Sequence, residues 1–141
     1  MASLPGQLPP ITSFPHPDIF QALGAEGLKS LLRAVYRRLA ASSIAPLFPQ
    51  DPAALEAAAD KSALFFVGIC GGPPLYERQY GAPRMRLRHQ GFSITEEARL
   101  VWLGCWFEEL KTAPQTLGFP LEHREGFQEY LTSFSLWMVN A

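Results

Sequence analysis

The segment from Gly71 to His89, GGPPLYERQYGAPRMRLRH, carries the residues of this chain that are best suited to chemistry. Arg84, Arg86 and Arg88 stand at every second position, and the histidine follows directly. Guanidinium groups bind carboxylates and phosphates, and imidazole is a common metal ligand. The pattern therefore predicts a place where an anionic molecule is held beside one imidazole.

The overall composition limits what this basic segment can bind. The 141 residues fit one domain, and 48% hydrophobic with 18% charged residues is typical of a globular protein. A formal net charge of −1 argues against nucleic acid as a partner, because phosphate backbones are bound by proteins with a large positive excess. No apolar run of about 18 residues is present, which argues against a membrane partner.

The cysteines and the N-terminus bear on the compartment. Cys70 and Cys105 lie outside any metal-type spacing, and both stand among apolar residues. We therefore expect buried free thiols in a reducing compartment. The N-terminus lacks the basic start and apolar core of a secretory signal. Together these features predict a cytoplasmic protein.

The first 17 residues differ from the rest of the chain. Residues 1–17 contain five prolines and are expected to form an extension ahead of a single domain at 18–141. His16 lies in this extension and His123 lies in a charged helix start, and both are expected to be solvated.

Apolar residues recur at helical spacing through most of the domain. Gly24 and Gly27 are expected to separate a short first helix from the next one. The longer helices are expected over 28–41, 53–69, 96–111 and 121–139, with a loop over 112–120. Strand-type alternation of any length is missing from the sequence, so the predicted fold class is all-α.

Polar residues mark the starts of these helices. We expect Asp18 to cap the first helix, and Asp51 followed by Pro52 to begin the helix over 53–69. Ser93 and Glu96 have the spacing of a capping box ahead of the helix over 96–111.

The irregular connection between the two central helices suggests one ligand in particular. It brings three arginines and His89 to an aromatic-rich helical core, and long connections inside a compact domain are usually functional. Haem needs an axial imidazole for its iron, cations for its two propionates and a flat apolar slot. All three kinds of group are present in this chain.

From about Ile19 to Asn140 the chain resembles the truncated haemoglobins, and group II of that family in particular. The stretches that carry the resemblance are AVYRRL at 34–39, APLFP at 45–49, GGPPLYERQYGAPRMRLRH at 71–89, FSIT at 92–95, VWL at 101–103 and MVNA at 138–141. The family's fold implies two antiparallel helix pairs that cross in a two-over-two sandwich around haem b (iron protoporphyrin IX).

The resemblance also implies roles around the iron. His89 matches the proximal iron ligand. Tyr36 and Trp102 match distal residues that donate hydrogen bonds to a bound gas. Ala58 and Ser62 match the two positions of the distal helix that face this ligand.

Further residues are expected to contact the haem itself. Lys61 and Arg88 match residues that reach the propionates, with Arg86 and Tyr76 as weaker alternates. The apolar contacts are expected from Phe48, Phe65 and Phe66.

The chain departs from the family pattern at two places. The family usually has histidine where Ala82 stands, which affects a supporting hydrogen bond of the proximal loop. The familiar double glycine near the first helix is here Gly24-Ala25.

Each of these residues also has a simpler interpretation. Tyr36 and Trp102 have the spacing of ordinary core aromatics, and Trp106 and Trp137 are expected only to pack. The arginines at 84, 86 and 88 have the pattern of a solvated face, and Lys61 that of an ordinary surface lysine.

The expected function is reversible O2 binding, for transport or storage, at a five-coordinate iron. NO and CO are further expected ligands, and the protein is expected to be a monomer or a homodimer. Two alternatives stay open. One is a haem redox enzyme, a nitric oxide dioxygenase or peroxidase-like protein that uses an external reductase. The other is a haem-free globin-like sensing or docking module.

Overall fold

The computed structural model describes residues 13–141, and this range is helical without strands, as predicted. Residues 1–12, which hold most of the predicted proline-rich extension, lie outside the described residues. The helices are α1 (Asp18–Ala40), α2 (Pro52–Ile69), α3 (Leu75–Tyr80), α4 (Met85–Arg88), α5 (Glu96–Leu117) and α6 (Arg124–Met138), with 3-10 turns at Ala45–Leu47 and Leu121–His123.

The long helices form two pairs. α1 packs against α2, α5 packs against α6, and α1 also crosses α5. This is the two-over-two sandwich that the sequence predicts. No helix within residues 13–141 has the length and apolar character needed to cross a membrane.

Helix α1 contains a sharp break near its start. Gly24 has φ 65° and ψ −177°, a conformation that glycine adopts without the penalty of a side chain, and this confirms the predicted break. Gly27 remains helical. The prediction that Asp18 caps the helix is wrong, because Asp18 is its first residue, where its carboxylate still favours the positive end of the helix dipole.

Helix α2 begins and ends as the sequence predicts. The Asp51 carboxylate accepts a hydrogen bond of 3.0 Å from the Ala54 amide, and Pro52 occupies the first helical position. At the other end the chain turns at Gly71, with φ 87°, and passes close to α1 at Gly72. A side chain at Gly72 would lie 2.8 Å from Phe20 and Val67, so only glycine fits there without a shift.

Helix α5 differs from its prediction at both ends. Its cap is Thr95, whose hydroxyl accepts from the Ala98 amide at 3.1 Å, and not Ser93. The helix also continues through Pro114 to Leu117 instead of ending near 111. Proline lacks the N–H that would bind the Leu110 carbonyl, and Arg124 donates to this carbonyl at 3.5 Å instead.

The core lies where the two helix pairs cross. Trp106 of α5 is buried between Phe66 of α2 and Phe127 of α6, with ring centroids 5.1 and 5.6 Å away. Large-to-small substitution of such an aromatic costs about 3–5 kcal/mol of stability. This cluster fixes the distance between the pairs, and a cavity opens beside it.

Candidate functional site

A cavity of about 440 Å³ lies beside the aromatic core, within the size range of cofactor and ligand pockets. It brings together almost all the residues singled out from the sequence. These are Tyr36, Phe48, Ala58, Lys61, Ser62, Phe65, Phe66, Tyr76, Arg88, His89 and Trp102. Most of the lining is apolar, and the polar groups are few and come from separate elements.

His89 is held in a defined orientation directly after α4. Its Nδ1 lies 2.6 Å from the carbonyl oxygen of Met85, one helical turn earlier. A carbonyl oxygen only accepts, so Nδ1 carries the proton and donates it in this bond. The lone pair of neutral His89 is therefore on Nε2, the tautomer that a metal-binding histidine needs.

Arg88 lines the cavity, but its guanidinium mainly holds the loop before α4. Its Nε donates to the Pro83 carbonyl at 2.6 Å, and one Nη donates to the carbonyls of Tyr80 and Ala82 at 2.8 and 3.0 Å. Ala82 stands where the resemblance to the family predicts a histidine, and its backbone carbonyl accepts a hydrogen bond from Arg88. The group also lies 5.5 Å from the centre of the Tyr76 ring.

Arg86 does not line the cavity, although it was a weaker candidate for a propionate. Its side chain is 5% exposed, and its Nε donates to the Trp137 carbonyl at 2.9 Å. One Nη donates to the Val139 carbonyl at 3.3 Å. The guanidinium therefore joins α4 to the end of α6. Its donors bind backbone carbonyls there and do not face the cavity.

The chain after α6 holds the loop that follows α4, between His89 and Ile94. The Asn140 side chain accepts from the Ile94 amide at 2.8 Å and donates to the Phe92 carbonyl at 3.0 Å. The same amide group reaches the His89 carbonyl at 3.5 Å. His89 is therefore supported from α4 on one side and from residue 140 on the other.

Two further cations stand at the cavity. The Lys61 ammonium lies 4.4 Å from the centre of the Tyr80 ring, and within residues 13–141 it has no carboxylate partner. Arg99 was not anticipated from the sequence. It is bound to the Ser135 hydroxyl at 3.0 Å and to the Thr132 carbonyl at 3.1 Å, and it also pairs with Glu96.

Tyr36 and Trp102 line the cavity, and their side chains carry a hydroxyl and an indole N–H. The Tyr36 ring meets Phe48 edge-on at 5.5 Å. Burial raises the pKa of the Tyr36 hydroxyl, and a hydrogen bond with Ser62 offsets part of that rise. Tyr36 is therefore protonated at neutral pH and able to donate. Trp102 lies 6.0 Å from Trp106, which also lines the cavity in addition to packing in the core.

Sequence reasoning missed the remaining lining residues, most of which look like ordinary core residues. They are Leu32, Ile44, Leu47, Pro49, Met85, Phe92, Ile94, Ala98, Arg99, Trp106, Phe134, Ser135 and Met138. Several of them could have been found by counting one helical turn from lining residues that the sequence did predict, such as Trp102. Ala98 and Trp106 stand one turn before and one turn after Trp102, on one side of α5.

An all-helical two-over-two sandwich with one histidine at an apolar cavity defines the protein as a globin. The family model for bacterial-like globins matches residues 18–140, and the chain belongs to that family, among its group II truncated haemoglobins. It is 36% identical to the group 2 truncated hemoglobin YjbI of Bacillus subtilis (strain 168), over 86% of this chain and 87% of that protein.

Solved structures agree with this assignment. The phosphate-bound Hell's gate globin IV is 35% identical with a TM-score of 0.85, and the match covers 100% of this chain and 86% of that one. The truncated oxygen-avid haemoglobin from Bacillus subtilis is 34% identical with a TM-score of 0.76, covering 86% and 98%. Haem binding follows from membership of the family.

The residues of the cavity fit a haem. The Nε2 lone pair of His89 is the donor that iron takes, and the lining is mainly apolar and aromatic. Lys61 supplies a cation that is not committed to a carboxylate of residues 13–141. A tetrapyrrole with two carboxylates thus finds a ligand, a slot and a counter-charge in one place.

Proposed function

We propose that this protein binds O2 reversibly at a five-coordinate iron of haem b, with NO and CO as further ligands. The observation that carries the proposal is the combination of groups in one cavity. An imidazole whose Nδ1 is bound to the Met85 carbonyl shares an apolar space with two hydrogen-bond donors, the Tyr36 hydroxyl and the Trp102 indole. Haem, when bound, supplies the iron that takes up the gas.

The proposed five-coordinate state rests on the other possible ligands of the cavity. His89 is the one histidine among its described lining residues. Two methionines also line it, but both belong to the segments that support His89. The Met85 carbonyl binds the His89 ring, and Met138 stands two residues before Asn140, whose side chain reaches the His89 carbonyl. We therefore expect both thioethers on the His89 side of the cavity, and no second iron ligand from the Tyr36 side.

The two donors are suited to a diatomic ligand that gains negative charge. Tyr36 stays protonated because burial raises its pKa, and an indole N–H always donates. Each donor in a dry pocket contributes about 1–3 kcal/mol to such a ligand. This corresponds to roughly tenfold to hundredfold slower release of O2 for each donor.

Ser62 stands on α2 one turn after Ala58, and both residues line the cavity with Tyr36. Its hydroxyl is near enough to Tyr36 to lower the pKa of that hydroxyl, against the larger effect of burial. A relative with a TM-score of 0.76 is described as oxygen-avid, which supports tight O2 binding in this chain as well.

At the cavity edge we assign the propionates first to Lys61 and then to Tyr76. Lys61 has no carboxylate partner in the described range, whereas three carbonyls use most of the donors of Arg88. Burial raises the pKa of Tyr76, so its hydroxyl remains a donor at neutral pH. The other Nη of Arg88 is left as a third contact.

The test is stopped-flow O2 dissociation from the haem-loaded protein and its Tyr36→Phe and Trp102→Phe variants. We expect each variant to release O2 about tenfold to hundredfold faster, with CO release changed less, because CO gains less negative charge. The matched control is Phe65→Leu, which alters an apolar lining residue without a donor. Unchanged O2 release in both donor variants contradicts the proposal.

The same protein distinguishes O2 binding from redox catalysis. Consumption of NO or peroxide is measured with and without a flavin reductase as external electron donor. Sustained turnover at many equivalents per haem favours the enzyme, whereas a single stoichiometric reaction favours the O2-binding role.

A further inference from the structure

Two histidines and an aspartate outside the haem cavity form a second cluster of candidate ligands. The rings of His16 and His123 stack with centroids 3.9 Å apart and planes 5° apart. One Asp18 oxygen lies 3.4 Å from His123 Nε2, and the other lies 3.6 Å from His16 Nδ1. The three ligand atoms lie within 4.8 Å of one another, and residues 13–141 contain no second group of this kind.

We propose that this cluster binds one divalent transition-metal ion of the zinc class. Two imidazoles and a carboxylate form a ligand set that Zn²⁺ prefers and that Ca²⁺ and Mg²⁺ do not. With zinc–ligand bonds of about 2.0–2.1 Å, two ligand atoms of a tetrahedral site stand about 3.4 Å apart. The distance from Asp18 Oδ2 to His123 Nε2 has this value. Water completes the coordination of the ion.

His16 Nδ1 is a hydrogen-bond acceptor in the structure. The Asp18 amide donates to His16 Nδ1 at 3.1 Å, so this nitrogen carries a lone pair and the ring proton is on Nε2. A metal ion would take over that lone pair from the amide.

The stacked rings have to move apart for both to bind one ion. Their nitrogen lone pairs lie in two nearly parallel planes 5° apart, whereas the bonds to one metal ion converge on a point. The side chain of His16 is 48% exposed, so its ring turns into solvent without displacing the core. The 21% exposed His123 is the more fixed of the two.

Neighbouring contacts already hold the ligands near one another. Pro15 is buried, and the Phe14 ring lies 6.1 Å from the ring of Tyr130 on α6. The segment before α1 therefore lies on α6 without an ion. A bound ion would join the start of α1 to the start of α6, two points far apart in the sequence.

The first experiment is a calorimetric titration of Zn²⁺ into the haem-loaded, tag-free full chain after removal of metals with a chelator. The chain has three histidines, and the third, His89, is occupied by haem iron in this form. We expect one saturable Zn²⁺ site per chain with micromolar affinity. His16→Gln and His123→Gln should each weaken it at least tenfold, whereas the neighbouring Glu122→Gln should leave it unchanged.

The second readout is thermal unfolding with and without Zn²⁺. An ion that binds only the folded chain raises its midpoint temperature. We expect this rise in the wild type and in Glu122→Gln, and its loss in His123→Gln. Thiols compete little, because burial raises the pKa of Cys70 to about 12 and that of Cys105 above its usual value. Absence of saturable binding, or wild-type affinity in both histidine variants, overturns the proposal.

Discussion

The segment that carries His89 and the helices that carry Tyr36 and Trp102 are built by different means. Residues 71–95, the proximal segment, contain only two short helices and are held mainly by side chains that bind backbone carbonyls. Tyr36 and Trp102 stand on long helices whose positions are fixed by apolar packing around Trp106.

The difference separates two properties of the site. Hydrogen bonds of about 1 kcal/mol each hold the proximal segment, and several of them must act together to fix one imidazole. Packing in the helix pairs contributes several kcal/mol to the free energy of unfolding for each buried aromatic side chain. Haem retention should therefore depend on the polar contacts of the proximal segment, and gas release on the donors of the packed helices.

The largest effect is expected from His89→Ala, which removes the iron ligand and leaves the packed helices intact. The Soret band should be lost or displaced, and haem should dissociate at least a hundredfold faster, because the iron–imidazole bond is missing. Added imidazole should restore part of the band. Gln90→Ala, the same truncation at the next and exposed residue, is the control. A normal Soret band in His89→Ala would contradict the assignment.

The next largest effect is expected from Arg86→Met, which breaks the link between α4 and the end of α6. Two carbonyls in a buried region lose their donor, and we expect a loss of about 2–4 kcal/mol in the free energy of unfolding. Denaturant unfolding measures it, with Arg84→Met as the control, because the Arg84 side chain is exposed. Equal stability of the two variants would show that the polar link contributes little.

Arg88→Ala and Lys61→Ala compare loop support with charge pairing. Arg88→Ala should speed haem loss about tenfold with unchanged salt dependence, since the loop loses three hydrogen bonds. Lys61→Ala should speed it less than about fivefold and reduce its salt dependence, as expected for a partly exposed ion pair. Haem transfer to an acceptor globin measures both. A salt dependence that is reduced in Arg88→Ala and unchanged in Lys61→Ala would show that Arg88, and not Lys61, pairs with the propionate.

The smallest effect is expected on the helix side, from Asp60→Asn. Asp60 accepts two hydrogen bonds of 2.7 Å from Arg33, which lowers the pKa of its carboxyl and joins α1 to α2. The contribution is complete above the unfolded pKa of about 4 and is lost as pH falls through the lower folded value. We expect a midpoint about 3 °C lower at pH 7. The difference in midpoint temperature between the wild type and Asp60→Asn should narrow below pH 4. Glu122→Gln, at an exposed residue, is the control.

The sequence predicts this molecule best where a local rule decides the structure. Asp51 and Pro52 begin α2 because a cap acts within one turn, and Gly24 breaks α1 because its conformation excludes side chains. Thr95 was missed because two hydroxyl residues stand close together, and only the path of the chain decides which one caps α5.

Long-range contacts account for the other differences. A proline inside a helix usually ends it. Here α5 continues past Pro114, and Arg124 of α6 donates to the Leu110 carbonyl that the proline leaves without a donor. The spacing of the arginines predicts cations near an anion, yet Arg86 and Arg88 bind backbone carbonyls. Every residue has a backbone carbonyl, so the sequence does not indicate which carbonyl a given arginine binds. Only the folded structure shows these pairs.

The contacts of Asn140 have a consequence for the order of biosynthesis. The ribosome makes His89 about fifty residues before Asn140, so the imidazole exists well before the amide that helps to fix its loop. The amino-terminal helices can associate while the chain is still growing. In the proposed haem site, the loop that follows His89 is complete only when residue 140 has left the ribosome. We therefore expect cofactor capture to be a late event in the life of each new chain.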